Sequence, residues 1–246
     1  MTTRAAFMAR LRTELGKTSG LFAATVAERP AAPAALADTI RRELAERWPE
    51  TLERFRDEFE RVGGVFYRVA ALGDVPAVVA RIAHERAARR VITWHPAALG
   101  ADVAPALREN GLEVTVMPAA GETEAARRRL RDVIAAAEIG VTGADLAVAE
   151  TGTLVLASGG GRPRSTSLLP AYHVAVFDRG ALVESLAQVG VFLEAWHGEG
   201  GAPADGGAVN FVTGPSRTAD IELTLTRGVH GPREVHAIFV EAPRGG

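Results

Sequence analysis

The sequence predicts an α/β fold with a mainly parallel open sheet, flanking helices and an N-terminal helical arm. From residue 65 onward, short runs rich in β-branched residues alternate with helical stretches, a pattern typical of a parallel sheet covered by helices. The first 62 residues are instead rich in Ala, Arg, Glu and Leu. A chain of 246 residues is also long enough to bury one substantial core.

The arm is predicted to span residues 1–62, and the α/β domain residues 63–246. Apolar side chains recur at helical spacing within residues 34–62, and residues 3–15 have a similar composition, so both stretches are predicted helices. Prolines are expected to interrupt them, namely Pro30, Pro33 and Pro49. Two interpretations stay open, since the arm can pack on the main domain or dock a partner.

The strands of the main domain are predicted from short apolar runs bounded by turn residues. In chain order these runs are residues 65–70, 91–94, 112–117, 146–149, 153–157, 172–177, 209–213 and 235–240. Helices are predicted after Asp74, in a short stretch ending near Gly111, at residues 122–138 with Gly140 closing the helix, and at residues 181–196. Only three residues separate the runs 146–149 and 153–157, which is too few for a parallel crossover and requires a hairpin or a sharp bend. Residues 197–207 are expected to be mobile, and residues 214–232 irregular.

Composition excludes several classes of function. The chain has no cysteine, which removes disulfides, thiolate metal sites, iron–sulfur ligation and cysteine nucleophiles. A net charge of -2 gives no overall field that would attract nucleic acid or an acidic membrane. No apolar run reaches the roughly 18 to 20 residues that span a bilayer, and no signal-type apolar core lies in the first twenty residues. We therefore expect a cytoplasmic protein.

Polar residues in the loops that follow the strands are the candidates for chemistry, because ligands gather at the carboxyl ends of strands in open α/β sheets. Glu150 directly follows an apolar run and begins the turn Glu150, Thr151, Gly152, Thr153. Its carboxylate is either a catalytic acid, base or nucleophile, or a hydrogen-bond acceptor that stiffens the turn.

Two further loops combine glycine, hydroxyl groups and charge. The loop 158–167 contains Gly160 and Arg164, and it suits a phosphate or a carboxylate as well as a plain surface loop. It matches neither a Walker loop nor a dinucleotide-binding turn. The second loop supplies ligand-binding candidates or an internal charge network, namely Gly214, Ser216, Arg217, Asp220 and Glu222.

His230 is the second catalytic candidate, since histidine exchanges protons near neutral pH, although a histidine in a tight turn also serves as a structural donor. No metal site is predicted, because the acidic residues and histidines of this region lack a metal-ligand spacing. We expect Glu150, Arg164, Arg217 and His230 to meet in a single pocket at one rim of the sheet. The ligand predicted for that pocket is a small organic acid or a phosphate-bearing molecule.

Three stretches resemble the LUD domain family, of the lactate-utilization protein C type. They are residues 141–153 (VTGADLAVAETGT), residues 167–173 (SLLPAYH), and residues 213–222 (TGPSRTADIE) continued by 228–232 (GVHGP). The resemblance implies a core like that of the coenzyme A transferase, ribose-phosphate isomerase and glucosamine-phosphate deaminase superfamily.

The same resemblance implies a subunit that supports oxidation of L-lactate to pyruvate beside iron–sulfur partner proteins. No cofactor is expected in this chain, and iron–sulfur clusters are expected only in the partners. Two alternatives stay open. One is a free-standing transferase-like or cyclo-ligase-like enzyme acting on a carboxylate or phosphate-bearing substrate, and the other is a binding module that senses an organic acid.

Overall fold

A computed structural model describes residues 3–17, 30–119, 123–197, 207–219 and 225–243. Its helices are α1 (Arg4–Lys17), α2 (Pro33–Arg61), α3 (Val75–Glu85), α4 (Pro96–Leu99), α5 (Ala104–Glu109), α6 (Glu124–Ala136), α7 (Ser165–Leu168) and α8 (Leu186–His197). Its strands are β1 (Val65–Val69), β2 (Arg90–Thr93), β3 (Glu113–Val116), β4 (Ile139–Gly143), β5 (Leu146–Val148), β6 (Thr153–Ala157), β7 (Tyr172–Asp178), β8 (Leu182–Val183), β9 (Val209–Val212), β10 (Arg217–Ala219), β11 (Leu225–Arg227) and β12 (Glu234–Val240). Most of the stretch expected to be mobile, residues 197–207, lies outside the described residues.

A six-stranded sheet forms the centre of the fold, in the order β1-β12-β7-β4-β2-β3. Every neighbouring pair in it is parallel, which confirms the predicted fold class. The central strands are buried on both faces, as the fully buried β4 and the mostly buried β7 and β12 show. Such strands contain nearly continuous runs of apolar residues, because helices cover the sheet on both sides.

A second sheet of four strands, in the order β8-β5-β6-β9, packs beside the first. Strands β5 and β6 pair antiparallel, so the hairpin predicted from their short connection is confirmed. Strand β9 also pairs antiparallel with β6, whereas β8 pairs parallel with β5. The turn that contains Glu150 therefore belongs to this smaller sheet.

Helix α2 contributes side chains to two clusters of the hydrophobic core. Its apolar side chains recur at helical spacing, and Pro33 occupies the first turn, where its missing N–H costs nothing. The C-terminal half buries Phe55 and Phe59 in the main core, where Phe55 lies 5.1 Å, edge to face, from Phe177 of β7. Each fully buried ring contributes about 1.5 to 3 kcal/mol. The N-terminal half packs instead against β8 and α8, and the division of the chain at residue 62 stays a prediction.

Four details of the predicted elements are wrong. Gly140 does not close a helix but lies inside β4, a strand that the prediction lacked. Pro49 does not interrupt α2, because it lies on the exposed side of a helix that continues through it. The stretch predicted as one helix at residues 181–196 contains β8 before α8. The segment 214–232 is not irregular throughout, since β10 and β11 form an antiparallel pair within it.

None of the helices in the described part of the chain combines the length and the apolar character needed to cross a bilayer.

Candidate functional site

The loop 158–167, which follows β6 and is rich in glycine, covers the carboxyl edge of the six-stranded sheet. The indole Nε1 of Trp94, the residue that follows β2, donates to the carbonyl of Pro163 at 3.3 Å. The backbone N–H of His95 donates to the carbonyl of Gly161 at 2.9 Å. Gly161 has φ +71°, and a Cβ there would lie 2.6 Å from Cβ of His95. Glycine is therefore required at Gly161 both by the left-handed backbone and by the close approach.

A buried ion pair fastens this loop to the sheet. The guanidinium of Arg162 pairs with the carboxylate of Asp145, which follows β4, and the two side chains are only 9% and 11% exposed. The same guanidinium lies 4.7 Å from the ring centroid of Trp94, a favourable cation–π geometry. The second carboxylate oxygen of Asp145 accepts from the N–H of Ala157 at 2.6 Å. Arg162 and Asp145 thus link β2, β4 and β6, and we call this arrangement the Arg162 clamp.

The clamp leaves other polar groups of the loop facing solvent. Gly160 and Arg164 are exposed, and Arg164 forms no ion pair with another described residue. The ring of His95 accepts from the N–H of Ala97 through Nδ1 at 3.3 Å, which leaves its Nε2 unused by that bond. An exposed guanidinium and a glycine N–H at the carboxyl edge of a parallel sheet suit a carboxylate or a phosphate. Anion binding by Gly160 and Arg164 stays a prediction.

The carboxylate of Glu150 contacts the start of a helix. Its Oε2 accepts from the N–H of Leu186, the first residue of α8, at 3.0 Å, and the Glu150 N–H donates to the carbonyl of Glu184 at 3.0 Å. A carboxylate in this position satisfies a free helix N–H and favours the helix dipole. Glu150 is itself exposed, so the contact agrees with the structural alternative, and its catalytic role stays a prediction.

The rest of that turn contacts the segment after β9 and helix α2. The hydroxyl of Thr151 donates to that of Thr153 at 2.7 Å, and Thr153 lies 2.8 Å from the hydroxyl of Thr213, which follows β9. Gly152 has φ +60°, and a Cβ there would overlap the backbone of Phe59 in α2. The predicted ligand-binding residues Thr151, Gly152 and Thr153 are therefore held by contacts within the protein.

The segment that begins at Gly214 lies at the amino edge of the six-stranded sheet. The guanidinium of Arg217 donates to the carbonyl of Val62, just before β1, and Gly214 packs against the same carbonyl with φ +71°. The N–H of Ser216 donates to the carbonyl of Pro232, just before β12, at 2.9 Å. Gly214, Ser216 and Arg217 therefore contact the segments that lead into the neighbouring strands β1 and β12.

His230 is exposed and forms no hydrogen bond with another described residue. Asp220 and Glu222 lie outside the described residues. Ligand contact by Asp220 and Glu222, and proton transfer by His230, stay predictions.

The expectation that the candidates meet in one pocket does not hold for Arg164 and Arg217. Arg164 follows the residue that contacts Trp94 at the carboxyl edge of β2, whereas Arg217 contacts Val62 at the amino edge of β1. Strands β1 and β2 are four inter-strand steps apart, which is about 19 Å at the usual strand spacing. The two arginines therefore face opposite edges as well as distant strands, and no small ligand reaches both.

Two buried histidines are further residues that the sequence did not single out. Nε2 of His173 in β7 lies 2.8 Å from the hydroxyl of Thr142 in β4, and burial, with a smaller effect from His236, lowers the pKa of His173 to about 3. Burial also lowers the pKa of His236 in β12, against the opposing effect of Glu234. Nδ1 of His236 lies 3.3 Å from the hydroxyl of Tyr67. Both rings serve as hydrogen-bonding groups inside the sheet.

The sequence also did not single out Trp94, Asp145 and Arg162 of the Arg162 clamp, or His95 next to Trp94. The composition of the loop indicated an arginine at this edge but not which of its two arginines turns inward. A signal was available in part, because Trp94 ends the predicted strand run 91–94 and Asp145 directly precedes the run 146–149.

Comparisons with known proteins agree with this architecture. The pattern of the LUD domain matches residues 52–240. Lactate utilization protein C of Halalkalibacterium halodurans is 40% identical over 163 residues, which cover 65% of this chain and 66% of that protein. Lactate utilization protein C of Shouchella clausii is 41% identical over 105 residues, which cover 43% of this chain and 44% of that protein. The match thus spans less than two thirds of the length of either relative.

A crystal structure of a DUF162 family protein from Deinococcus radiodurans has the same fold. It superposes with a TM-score of 0.52 at 22% identity, covering 78% of this chain and 97% of that one.

Proposed function

This chain belongs to the LUD domain family, and on that premise we propose that it is a subunit of a lactate-utilization system that supports oxidation of L-lactate to pyruvate. The observation that carries the proposal is the 40% identity, over 163 residues, to a relative named Lactate utilization protein C. The family match over residues 52–240 includes every strand of both sheets, while the N-terminal half of α2 lies outside it.

The proposal assigns the electron-carrying groups to partner proteins. Oxidation of lactate to pyruvate removes two electrons and two protons, which must pass to an acceptor. Iron–sulfur clusters are held by cysteine thiolates in most proteins, and this sequence has none. We therefore place the clusters in iron–sulfur partners and the assembly in the cytoplasm, while this chain contributes binding and positioning.

Within this role, Gly160 and Arg164 are our candidates for contact with the substrate carboxylate. Support comes from their exposure at the carboxyl edge of the parallel sheet, in the loop whose Gly161 accepts from the backbone of His95. The Arg162 clamp fixes the loop that carries them, so a carboxylate would meet a group already held in place.

Reconstitution tests the proposal. The purified chain, the candidate iron–sulfur partners, and the mixture of the two are each assayed for reduction of a redox dye that depends on L-lactate, with D-lactate as the stereochemical control. We expect turnover in the mixture and none with the chain alone. Turnover by the chain alone would support the free-standing enzyme instead, and partners that reach full activity without the chain would refute its role as a subunit.

The same experiment separates the sensing alternative. A module that only senses an organic acid would bind lactate without adding turnover to the partners. Arg164→Ala in the reconstituted mixture then tests the carboxylate contact, with the exposed Arg42→Ala on α2 as its control. We expect a raised KM for lactate with Arg164→Ala alone, because the lost guanidinium contact lies with the substrate carboxylate.

A further inference from the structure

A cleft at the carboxyl end of β7 carries two arginines above an apolar floor. It has a volume of about 220 Å³ and lies between α2 and the turn that leads from β7 to β8. Its lining residues are Arg41, Leu44, Ala45, Arg179, Gly180 and Leu182. Strand β7 is an interior strand of the parallel sheet, and the carboxyl ends of such strands are where open α/β sheets bind ligands.

Arg41 is held in place by its neighbours on one side of this cleft. Its guanidinium lies 5.0 Å from the ring centroid of Phe192 in α8, and it approaches the carboxylate of Asp38 at 3.5 Å. Asp38 is 70% exposed, so solvent screens this pair strongly and the pair contributes little. The aromatic ring of Phe192 therefore orients the guanidinium of Arg41. A ligand can replace Asp38 as its partner, because that ion pair is weak.

Arg179 lies on the other side of the cleft, in a turn that a hydrogen bond stabilises. It begins a 3-10 turn in which the N–H of Gly180 donates to Oδ1 of Asp178 at 2.9 Å. Arg179 is exposed and forms no ion pair with another residue of the described ranges. Its charge is thus available to a ligand in the cleft.

The floor of the cleft is apolar. Leu44 and Leu182 are 3% and 2% exposed, and both belong to the hydrophobic core beneath. Ala45 adds an exposed methyl group on the α2 side. Because Leu44 and Leu182 are almost fully covered, an alkyl group of a ligand would contact chiefly Ala45, beside the charge that the arginines supply.

The lining also distinguishes this cleft from its neighbour on α2. The next cleft along the helix, about 160 Å³ in volume, is lined by two arginines and by the carboxylates of Glu50 and Glu184. Arg47 there already pairs with Glu184 at 3.1 Å. An anion in that cleft would face two carboxylates, whereas the lining of the Arg41 and Arg179 cleft contains none.

We propose that the cleft between Arg41 and Arg179 binds a small monocarboxylate with a short alkyl chain. The two guanidinium groups donate to the carboxylate oxygens, a charge-assisted interaction that arginine favours, and the alkyl group lies against Ala45. The lining of the cleft shares no residue with the Gly160 and Arg164 loop. The site also stands independently of the proposed lactate-utilization role, because it rests only on the lining of the cleft.

Calorimetric titration of the full chain with butyrate, L-lactate and inorganic phosphate tests this site, at low salt and at 0.15 M salt. We expect butyrate and L-lactate to bind, more weakly at the higher salt since exposed charges are screened. Arg179→Ala and Arg41→Ala should each weaken butyrate binding at least tenfold. Ala45→Phe should abolish butyrate binding by filling the cleft while both charges remain.

Arg42→Ala is the matched control, because Arg42 is a neighbouring exposed arginine of α2 that bonds to Thr39 and to the carbonyl of Asp38. It should bind both carboxylates as the unmodified chain does, and circular dichroism confirms that each variant is folded. Absence of carboxylate binding, phosphate bound more tightly than butyrate, or an equal loss with Arg42→Ala would overturn the proposal. The titration needs neither partners nor dye reduction, so its outcome is separate from that of the reconstitution.

Discussion

Removing the guanidinium of the Arg162 clamp should destabilise the protein strongly. Arg162→Ala leaves the carboxylate of Asp145 at 11% exposure without its cation. Breaking a buried pair from one side costs about 3 to 5 kcal/mol. Asp145 keeps the hydrogen bond from the Ala157 N–H, which offsets part of the loss, while the contact with the Trp94 ring is also removed. We therefore expect a loss of about 3 kcal/mol, near the lower limit of that range.

Urea unfolding followed by circular dichroism measures this loss, and thermal unfolding measures it independently. For a chain of this size each 1 kcal/mol shifts Tm by about 2 to 4 °C, so Tm should fall by about 6 to 12 °C. Arg164→Ala, two residues along the same loop and exposed, is the control and should stay within about 0.5 kcal/mol of the unmodified protein.

A double-mutant cycle attributes the loss to the ion pair itself. Asp145→Asn, Arg162→Met and the double variant are compared, and the double variant should recover much of the stability, because a neutral pair of similar volume often replaces a buried ion pair at little cost. If Arg162→Ala loses less than about 1 kcal/mol, or no more than Arg164→Ala, then the guanidinium is not buried against Asp145 and the clamp is refuted.

Three further predictions follow from single contacts. Gly140→Ala should lower the free energy of unfolding in urea by about 1 to 3 kcal/mol, because its methyl group would overlap a carbonyl oxygen of α7. The control Gly190→Ala in α8 meets no atom and should be neutral or stabilising by up to about 1 kcal/mol. Equal effects of the two substitutions would contradict the packing at Gly140. The pKa of His173 is about 3 in the folded state against an ordinary value near 6.5, so protonation favours unfolding. The stability that the neutral ring preserves is complete above pH 6.5 and is lost at up to about 1.4 kcal/mol per pH unit as the pH falls toward 3. Unfolding free energies measured across this range should show a shallower slope for His173→Gln but not for the exposed His84→Gln. Glu150→Gln keeps an acceptor for the first N–H of α8 and should leave lactate-dependent turnover unchanged, while a loss of about 100-fold or more would make the carboxylate a catalytic group.

The strands were predictable where sequence pattern and burial coincide. Strands β7 and β12 match apolar runs because interior parallel strands are covered on both faces. Strand β4 was missed because its sequence, IGVTG, contains two glycines that locally resemble a helix end. Gly140 is needed there for another reason, since α7 lies directly against it. That contact joins residues far apart in the chain, so no local pattern reveals it.

The layout of the candidate site was less predictable, for two physical reasons. Arg162 and Arg164 are alike in local sequence, and only the distant Asp145 determines which one is buried. The turn at Gly214 was placed at the carboxyl edge by a rule for parallel sheets. It follows β9, which belongs to the smaller sheet and pairs antiparallel with β6, so the chain leaves that strand toward the entry of β1 instead.

The stretches that carry the family resemblance coincide with positions where the architecture admits few side chains. Asp145 fastens the loop, Gly152 and Gly214 lie against the backbone of the end of α2 and the residue after it, and His173 bonds across to β4. The packing where the two sheets meet therefore accounts for the residues in these stretches, whatever ligand is bound. Specificity within such a framework has to come from exposed groups beside it, and Arg164 and the Arg41 and Arg179 cleft are two such places. Substitutions there should alter binding without altering the fold, whereas substitutions in the resembling stretches should alter stability first.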